Sequence, residues 1–222
     1  MSGATKIVLG LVVLAVIAVV LAAVVTAGVG ISKYNTLVAL HERANEGRSR
    51  LAAAINTASE KMKSVWALAE QEGILEKETY TGVAKARAGY LEARKEYEAA
   101  AAAPGASILD LTTRGAALGQ SLINVRVAFE AYPQLRTSET YQKAMVAVQE
   151  GFNEIKTALD DWISLCRAYN TERRSFPTSW LASSFFGPEF PERIAYYAGG
   201  IKEPEQVKVK ADDLNPSPKT KP

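Results

Sequence analysis

An unbroken apolar run lies near the start of the chain. Residues 7–31 include no charged residue, and Lys6 and Lys33 flank the run. A transmembrane helix needs about 20 apolar residues to cross about 30 Å of hydrocarbon, and this run is longer. The small residues at 25–27 suit a cleaved signal peptide, but the apolar core of a signal peptide has only roughly 7 to 15 residues. The run therefore predicts a retained transmembrane helix that contacts the lipid bilayer and follows a short tail, residues 1–6.

Basic residues around the run predict its orientation. Lys6 and the terminal amine precede the run, and the basic residues just after it are Lys33, Arg43, Arg48 and Arg50. Lysine and arginine concentrate on the cytoplasmic side of a membrane, so the pattern favours a cytoplasmic C-terminal domain at the inner membrane of a cell. A large domain can cross a membrane despite its flanking charges, which leaves a periplasmic or extracellular domain open.

A seven-residue repeat, typical of a coiled coil, extends over residues 33–72 and places one stripe along a helix face. Its two interleaved series are Tyr34, His41, Arg48, Ile55, Met62 and Ala69, and Leu37, Ala44, Leu51, Ala58 and Val65. Gly73 is a suitable C-terminal stop. Because no helix breaker lies between Ile31 and Tyr34, we expect the membrane helix to continue into this first bundle helix.

Three further amphipathic helices follow, with apolar residues at steps of three and four. The second, from about Leu75 to Ala103, carries Tyr80, Val83, Arg87, Tyr90, Arg94 and Tyr97. The third opens at Ser107, closes at Tyr132-Pro133, and carries Ile108, Leu111, Leu118, Leu122, Val125 and Phe129. The fourth opens near Thr137 or Ser138, ends before Phe176-Pro177, and carries Tyr141, Met145, Val148, Phe152, Ile155, Leu159, Trp162, Cys166 and Tyr169. The fold predicted is all-α: an N-terminal transmembrane helix followed by a long antiparallel up-down-up-down four-helix bundle, residues 32–177.

Past the bundle, an aromatic, turn-rich segment occupies residues 178–198, and residues 199–222 are rich in proline and mixed charge. The latter are predicted to be disordered. If the first bundle helix leaves the membrane, the fourth returns to it. The aromatic segment, with Trp180, Leu181, Phe185, Phe186 and Phe190, is then expected at the membrane–water interface. The alternative is that these rings cap the base of the bundle, and the two roles are compatible.

Charge and residue content exclude several function classes. Lysines and arginines number 26 against 24 aspartates and glutamates, and this net charge of +2 is too balanced for a general nucleic-acid-binding protein. Cys166 is the only cysteine, so an intrachain disulfide is excluded. His41, the only histidine, lies on an apolar helix face, where we expect packing, because a triad or a metal site needs convergent partners. Residues 115–121 lack the lysine of a phosphate loop, and close helix packing explains their small side chains better.

No catalytic, cofactor-binding or metal-binding residue is therefore predicted. Arg87 and Arg94 on the tyrosine-bearing face of the second helix need carboxylate or carbonyl partners if they are buried. Structural pairing is the favoured interpretation over ligand binding, and Glu130 and Glu154 are the candidate partners.

Five short motifs occur in a fixed order. They read YNTLV at 34–38, VAKAR at 83–87, FEAYPQL at 129–135, YNTERRSFP at 169–177 and FFG at 185–187. In order and spacing the chain resembles the LemA family of bacterial membrane proteins, whose patterns include YNxLV, EAYPxLK and YNxxxxxFP. The resemblance extends from the apolar run to about residue 189.

Two departures mark a divergent member. The family's RRxDLIPNLV stretch is absent, with residues 53–58 in about its place, and Trp162-Ile163 replaces an earlier YN pair. The resemblance implies a membrane-anchored helical protein without established catalytic activity. We therefore expect a non-enzymatic single-pass membrane protein that presents its helical bundle as an adapter or scaffold to another membrane or soluble protein. The alternative is a structural protein that forms homo-oligomers in the membrane plane and organises or shapes the membrane.

Overall fold

The structure is a computed structural model that describes residues 3–191, apart from the side chains of residues 3–6, 8, 79 and 188. Every regular element in this part of the chain is helical, so the predicted all-α class is confirmed. The α-helices are α1 (Gly3–Gln71), α2 (Thr81–Ala102), α3 (Ile108–Glu130), α4 (Glu139–Arg174) and α5 (Thr178–Leu181). Short 3-10 turns lie at Glu78–Tyr80, Pro133–Leu135 and Gly187–Glu189, and a π-helical turn lies at Ala182–Phe186.

The chain divides into two compact units. Within the described residues, the first unit comprises 3–43 and 167–191, and the second comprises 44–166. Helices α1 and α4 each contribute residues to both units. The predicted continuation of the apolar run into the first bundle helix is confirmed, because α1 has no break between Gly3 and Gln71.

The second unit is an antiparallel four-helix bundle. Pairs of residues in contact between neighbouring helices show this: as residue numbers rise along one helix, they fall along the other. The pairs are Glu70–Arg87 and Arg48–Ala101 for α1 and α2, Glu96–Arg114 and, just past the end of α3, Gly82–Tyr132 for α2 and α3, Gly115–Leu159 and Arg126–Gln149 for α3 and α4, and Lys61–Glu150 and Gly47–Trp162 for α1 and α4. The predicted up-down-up-down order is therefore confirmed.

The core of this unit consists of the predicted apolar stripes. Fully buried members include Leu51, Ile55, Met62, Leu111, Leu118, Leu122, Phe129 and Trp162. Arg48 belongs to the same heptad series but is exposed, and its guanidinium donates to the carbonyl oxygen of Ala101. Burial of these apolar side chains is the main source of stability for such a bundle, because the individual helix propensities are small.

Local sequence signals determine the ends of the helices. The Ser107 hydroxyl accepts a hydrogen bond from the backbone N–H of Asp110 (3.0 Å), and the Ser138 hydroxyl accepts one from Tyr141 (3.0 Å). Both serines were predicted as N-terminal caps, and the contacts confirm them. Gly73 ends α1 with a φ of 64°, a conformation that glycine adopts at little cost.

The predicted start of the second helix was wrong by several residues. We expected it near Leu75, but α2 begins at Thr81. The reason is the helix end at Gly73, whose N–H bonds to the carbonyl oxygen of Glu70 while the N–H of Ile74 bonds to that of Ala69. Ile74 is buried, so residues 74–80 are used to reverse the chain direction before α2 can form.

The first unit carries the apolar run on α1. Its described large side chains, at residue 7 and along residues 9–31, are exposed, and Val19, for example, is 69% exposed. Within the described residues, one helix is long and apolar enough to cross a membrane, and it is α1. An exposed apolar surface of this length fits a membrane protein. The predicted disordered tail, residues 199–222, and the end of the predicted aromatic segment, residues 192–198, lie outside the described residues.

Candidate functional site

The first unit contains a groove between α1 and the segment that follows α4, and we call it the aromatic groove. Its volume is about 810 Å³. It is lined by Ala23, Thr26, Ala27, Gly30, Ile31 and Tyr34 of α1, and by Trp180, Leu181, Phe185, Phe186 and Glu189. Small side chains form most of the α1 wall and aromatic rings most of the opposite wall, so the groove is mainly apolar.

Tyr34 holds the aromatic segment against α1. Its ring packs edge-to-face with Phe186 and Phe190, each at 5.4 Å between ring centroids. Its hydroxyl donates to the Glu189 carboxylate, at 3.3 Å from Oε2 and 3.4 Å from Oε1. The negative charge of Glu189 disfavours the phenolate and raises the pKa of Tyr34. Tyr34 is therefore a neutral hydrogen-bond donor at neutral pH.

Glu172 joins three elements of the first unit. Its Oε1 accepts a hydrogen bond from the Thr178 hydroxyl of α5 at 2.7 Å and forms an ion pair with Lys33 Nζ of α1 at 3.0 Å. The Thr178 hydrogen bond first, and the Lys33 charge after it, lower the pKa of Glu172 despite partial burial. The ionised carboxylate thus fixes the start of the aromatic segment beside α1 and the end of α4.

The large apolar side chains of the aromatic segment are partly packed and partly exposed. Leu181 and Phe190 are 6% and 3% exposed, whereas Trp180 is 51% and Phe185 is 70% exposed. Gly187 has a φ of 64° and a ψ of −158°, a backbone conformation that is almost restricted to glycine. The segment turns there, which lets Phe186 and Phe190 both contact Tyr34. Part of the segment packs within the first unit, and part remains available to another surface.

His41 lies in an aromatic environment, as its position on an apolar face predicted. Its ring centroid is 5.7 Å from that of Tyr169 and 6.2 Å from that of Phe190. The Tyr169 hydroxyl donates to the carbonyl oxygen of Pro191 at 3.0 Å, so Tyr169 also ties the end of the segment to α4. In the described part of the chain, no three histidine, cysteine or acidic residues lie close enough together to hold a metal ion.

Structural pairing was predicted for Arg87 and Arg94, but the partners proposed for them were wrong. Arg87 pairs with Glu70 of α1 at 2.7 Å and lies 6.0 Å from the centre of the Trp66 ring. Arg94 pairs with Glu98, four residues along α2, at 2.7 Å. The two expected partners bind other bases: Glu130 pairs with Arg126, and Glu154 pairs with Lys61. Glu130 is thus paired within α3, and Glu154 of α4 is paired with α1, so neither serves an arginine of α2.

The glycine-containing segment 115–121 also has the structural role that we expected. A side chain at Gly115 would lie 3.3 Å from Leu51, so the glycine permits close approach of α3 to α1. Gly115, Gly119 and Ser121 are all buried in α3.

The second unit has an open groove between α1 and α4, which we call the helix groove. Its volume is about 490 Å³. It is lined by Arg50, Ala53, Ala54, Thr57, Asn153, Glu154, Thr157, Ala158 and Asp161. Small side chains make up most of its floor, with charged side chains among the lining residues. Residues 53–58, which stand where the LemA family pattern has a different stretch, contribute to this floor.

The five motifs gather into two clusters, one in each unit. In the first unit, Tyr34 of YNTLV contacts Phe186 of FFG, and Tyr169 of YNTERRSFP contacts His41. In the second unit, the Tyr132 hydroxyl of FEAYPQL accepts a hydrogen bond from the backbone N–H of Gly82, next to VAKAR, at 3.1 Å. Motifs far apart in the sequence are therefore close in space.

Sequence reasoning did not identify Glu172 and Glu189 as residues of the site. Each lies within or beside a recognised motif, and Glu172 follows Tyr169 by three residues on the same helix face. This three-residue spacing was the sequence signal that could have identified Glu172. The aromatic groove itself had no sequence signal, because its two walls are more than 140 residues apart.

Comparison with known proteins identifies one family. The model of the LemA family matches residues 48–210, which is more than half of the chain. The YNTLV motif lies before the matched range, and the other four motifs lie inside it. No match was found among curated proteins or solved structures. The match and the motifs agree, and the chain belongs to the LemA family.

Proposed function

We propose that this protein is a non-enzymatic, single-pass membrane adapter, which α1 holds in the membrane while the bundle binds another protein. The exposed apolar surface of α1 over residues 7–31 supports the membrane attachment. In the second unit, several charged side chains form ion pairs on the helix surface. Lys61, for example, binds both Glu150 (2.9 Å) and Glu154 (2.7 Å). Such pairs are typical of a structural surface.

The observation that carries the adapter role is the helix groove of the second unit. Its floor of small residues, including Ala53, Ala54 and Thr57, leaves room for side chains of a second helix between α1 and α4. Its charged lining residues are Arg50, which pairs with Glu46, Glu154, which pairs with Lys61, and Asp161. A partner helix with charges complementary to this pattern would bind in one orientation. An amphipathic helix from a partner protein is the ligand that fits this geometry, because a groove between two helices accepts side chains at three- and four-residue steps.

Crosslinking in native membranes tests the adapter role. An amine-reactive crosslinker followed by mass spectrometry should connect residues around the helix groove to a different protein. Replacing exposed Ala53 by arginine fills the groove and should reduce those crosslinks several-fold. The matched control is Ala88→Arg at an exposed position of α2, which should leave them unchanged. Equal crosslinking in both variants would contradict the proposed binding surface.

The same experiment addresses the alternative function. A self-associating structural protein would give crosslinks between two copies of this chain and few to other proteins. Isotope-labelled and unlabelled copies expressed together distinguish contacts between copies from contacts within one copy. If crosslinks between copies predominate, the adapter role is contradicted and the self-associating structural role is supported.

The inner-membrane location and the cytoplasmic side belong to this proposal too. The basic residues that follow the apolar run support a cytoplasmic bundle. A cysteine placed at exposed Ala88, with Cys166 replaced by serine, reports the side of the membrane. Labelling by a membrane-impermeant maleimide only after the inner membrane is permeabilised is the expected result, and labelling in intact spheroplasts would place the bundle outside.

A further inference from the structure

We propose that the aromatic groove of the first unit binds one acyl chain of a bilayer lipid. The inference rests on the membrane insertion of α1 in the proposed function. It adds a ligand site at the end of the span, with a hydrocarbon chain as its ligand.

The position of the groove exposes it to hydrocarbon. Five of its α1 residues, from Ala23 to Ile31, belong to the apolar run that would cross the bilayer. A groove at that level opens toward lipid chains and interfacial groups, where bulk water is scarce. Trp180 and Phe185 on the opposite wall are exposed, and aromatic side chains concentrate at the boundary between hydrocarbon and headgroups.

The chemistry of the lining selects an apolar ligand. The Thr26 hydroxyl donates to the carbonyl oxygen of Ala22 in its own helix, at 2.8 Å. The Tyr34 hydroxyl donates to the Glu189 carboxylate, so these two polar groups of the lining are paired with each other. The residues that line the groove include no lysine or arginine, and nearby Lys33 pairs with Glu172. The groove therefore provides no cation for an anionic headgroup, and its apolar walls suit an acyl chain.

The size and construction of the groove favour a chain over a second membrane helix. A volume of about 810 Å³ falls in the range of small-ligand sites, and such sites are apolar with a few polar groups. The small side chains of Ala27 and Gly30 create the space on the α1 side. The aromatic segment already covers this face of α1, and a second helix, about 10 Å wide, would have to displace it.

The full-length protein in phosphatidylcholine vesicles tests the inference. The protein has three tryptophans, and replacing Trp66 and Trp162 by phenylalanine leaves Trp180 as the only one that fluoresces. Phosphatidylcholine brominated on its acyl chains should quench Trp180 strongly. Gly30→Leu then places apolar volume in the groove, because Gly30 lines it and an added Cβ there would have no neighbour within 4 Å. We expect the quenching to fall by about half or more, since the leucine occupies the place of the chain.

Gly28→Leu is the matched control. An added Cβ at Gly28 also has no neighbour within 4 Å, but Gly28 does not line the groove and lies about 200° around the helix from Gly30. Quenching in this variant should equal that of the parent. Equal quenching in all three proteins would overturn the inference, as would quenching that decreases when the protein-to-lipid ratio rises, because a second copy would then cover the groove.

A second measurement requires no tryptophan replacement. Native mass spectrometry of the detergent-purified protein should show one retained lipid in the unaltered chain and in Gly28→Leu, and several-fold less in Gly30→Leu. Flotation of the protein with vesicles separates the two proposals. Failure to float would refute membrane attachment itself, whereas flotation with equal lipid retention in all variants would refute the groove site alone.

Discussion

At the residue scale, small side chains determine how closely the helices of the second unit approach. A side chain at Gly151 of α4 would lie 2.9 Å from the Cβ of Ala58 on α1 and 3.4 Å from Leu122 on α3. A side chain at Gly47 would lie 2.6 Å from the buried Trp162 ring. Neither neighbour can move without disturbing the core, because protein interiors are close-packed.

The first prediction concerns this close packing. Gly151→Ala should lower the free energy of unfolding by about 1 to 3 kcal/mol, since overpacking outweighs the better helix propensity of alanine. Gly89→Ala, at an exposed position of α2 where an added Cβ has no neighbour within 4 Å, should raise the free energy of unfolding by up to about 1 kcal/mol. Urea unfolding followed by circular dichroism measures both. A stabilised Gly151→Ala variant would show that α1 and α4 have room to separate.

The second prediction concerns Phe152, which is 4% exposed in the predicted apolar stripe of α4. Phe152→Ala should cost roughly 3 to 5 kcal/mol, because it removes a buried ring and leaves a cavity. Val146→Ala on the same helix, where the valine is 57% exposed, should cost less than about 1 kcal/mol. Chemical denaturation provides the comparison. A loss below about 1 kcal/mol for Phe152→Ala would indicate an exposed face that could bind a partner.

At the element scale, the first unit depends on one carboxylate that joins three helices. Glu172 of α4 binds Thr178 of α5 and Lys33 of α1, and these contacts lower its pKa. A carboxyl with a lowered pKa in the folded state stabilises that state when it is ionised. Its contribution is fully present above the ordinary pKa of about 4.3 and is lost as pH falls through the lower folded-state value.

The third prediction follows from this loss of stability at low pH. As pH falls below about 4, the aromatic segment should detach from α1, and Trp180 emission of the detergent-solubilised protein should change, because protonated Glu172 no longer attracts Lys33. The Trp66→Phe, Trp162→Phe background isolates this signal. Glu172→Gln should remove most of the acid-dependent change, while Glu42→Gln at an exposed position of α1 should retain it. An identical acid transition in all three proteins would assign it to other groups.

At the scale of the whole molecule, the apolar run and the helical bundle are suited to different environments. The run is suited to a bilayer, because its described large side chains, at residue 7 and along residues 9–31, are exposed. The bundle has a core of its own, which includes Trp162, Phe129 and Leu51 in full burial. The apolar run leads to a prediction about N-terminal cleavage, and the bundle leads to one about cofactors.

The fourth prediction is that the apolar run is retained in the mature protein, because it is longer than the core of a signal peptide. N-terminal sequencing of the protein extracted from membranes should identify a residue before Ile7. A mature start at or near Gly28 would show that the run is a cleaved signal.

The fifth prediction is that the bundle folds without a metal or cofactor, because the sequence has one histidine and one cysteine and the described core is mainly apolar. Circular dichroism of the detergent-solubilised protein should be unchanged by strong chelators. A loss of helical signal on chelation, restored by added metal, would reveal a metal site.

Several features of this protein followed from the sequence alone because their causes are local. Apolar residues at steps of three and four define the buried faces of α3 and α4, since each helix must place those side chains on one side. Ser107, Ser138 and Gly73 act on helix ends within a few residues, so the contacts expected at those ends were found. The length of the apolar run likewise indicated a membrane helix from composition only.

Other features depended on contacts between distant parts of the chain, and only the tertiary structure decided them. Arg87 pairs with Glu70 because the rotation and register of α1 against α2 bring them together, and no local pattern specifies that register. The start of α2 depended on how many residues the turn after Gly73 required. The aromatic groove exists because a segment about 150 residues after Tyr34 returns to the same face of α1, and the depth of its packing divides the rings into buried and exposed ones. Periodicity identifies which side of a helix is buried, whereas the partner on that side depends on the whole fold.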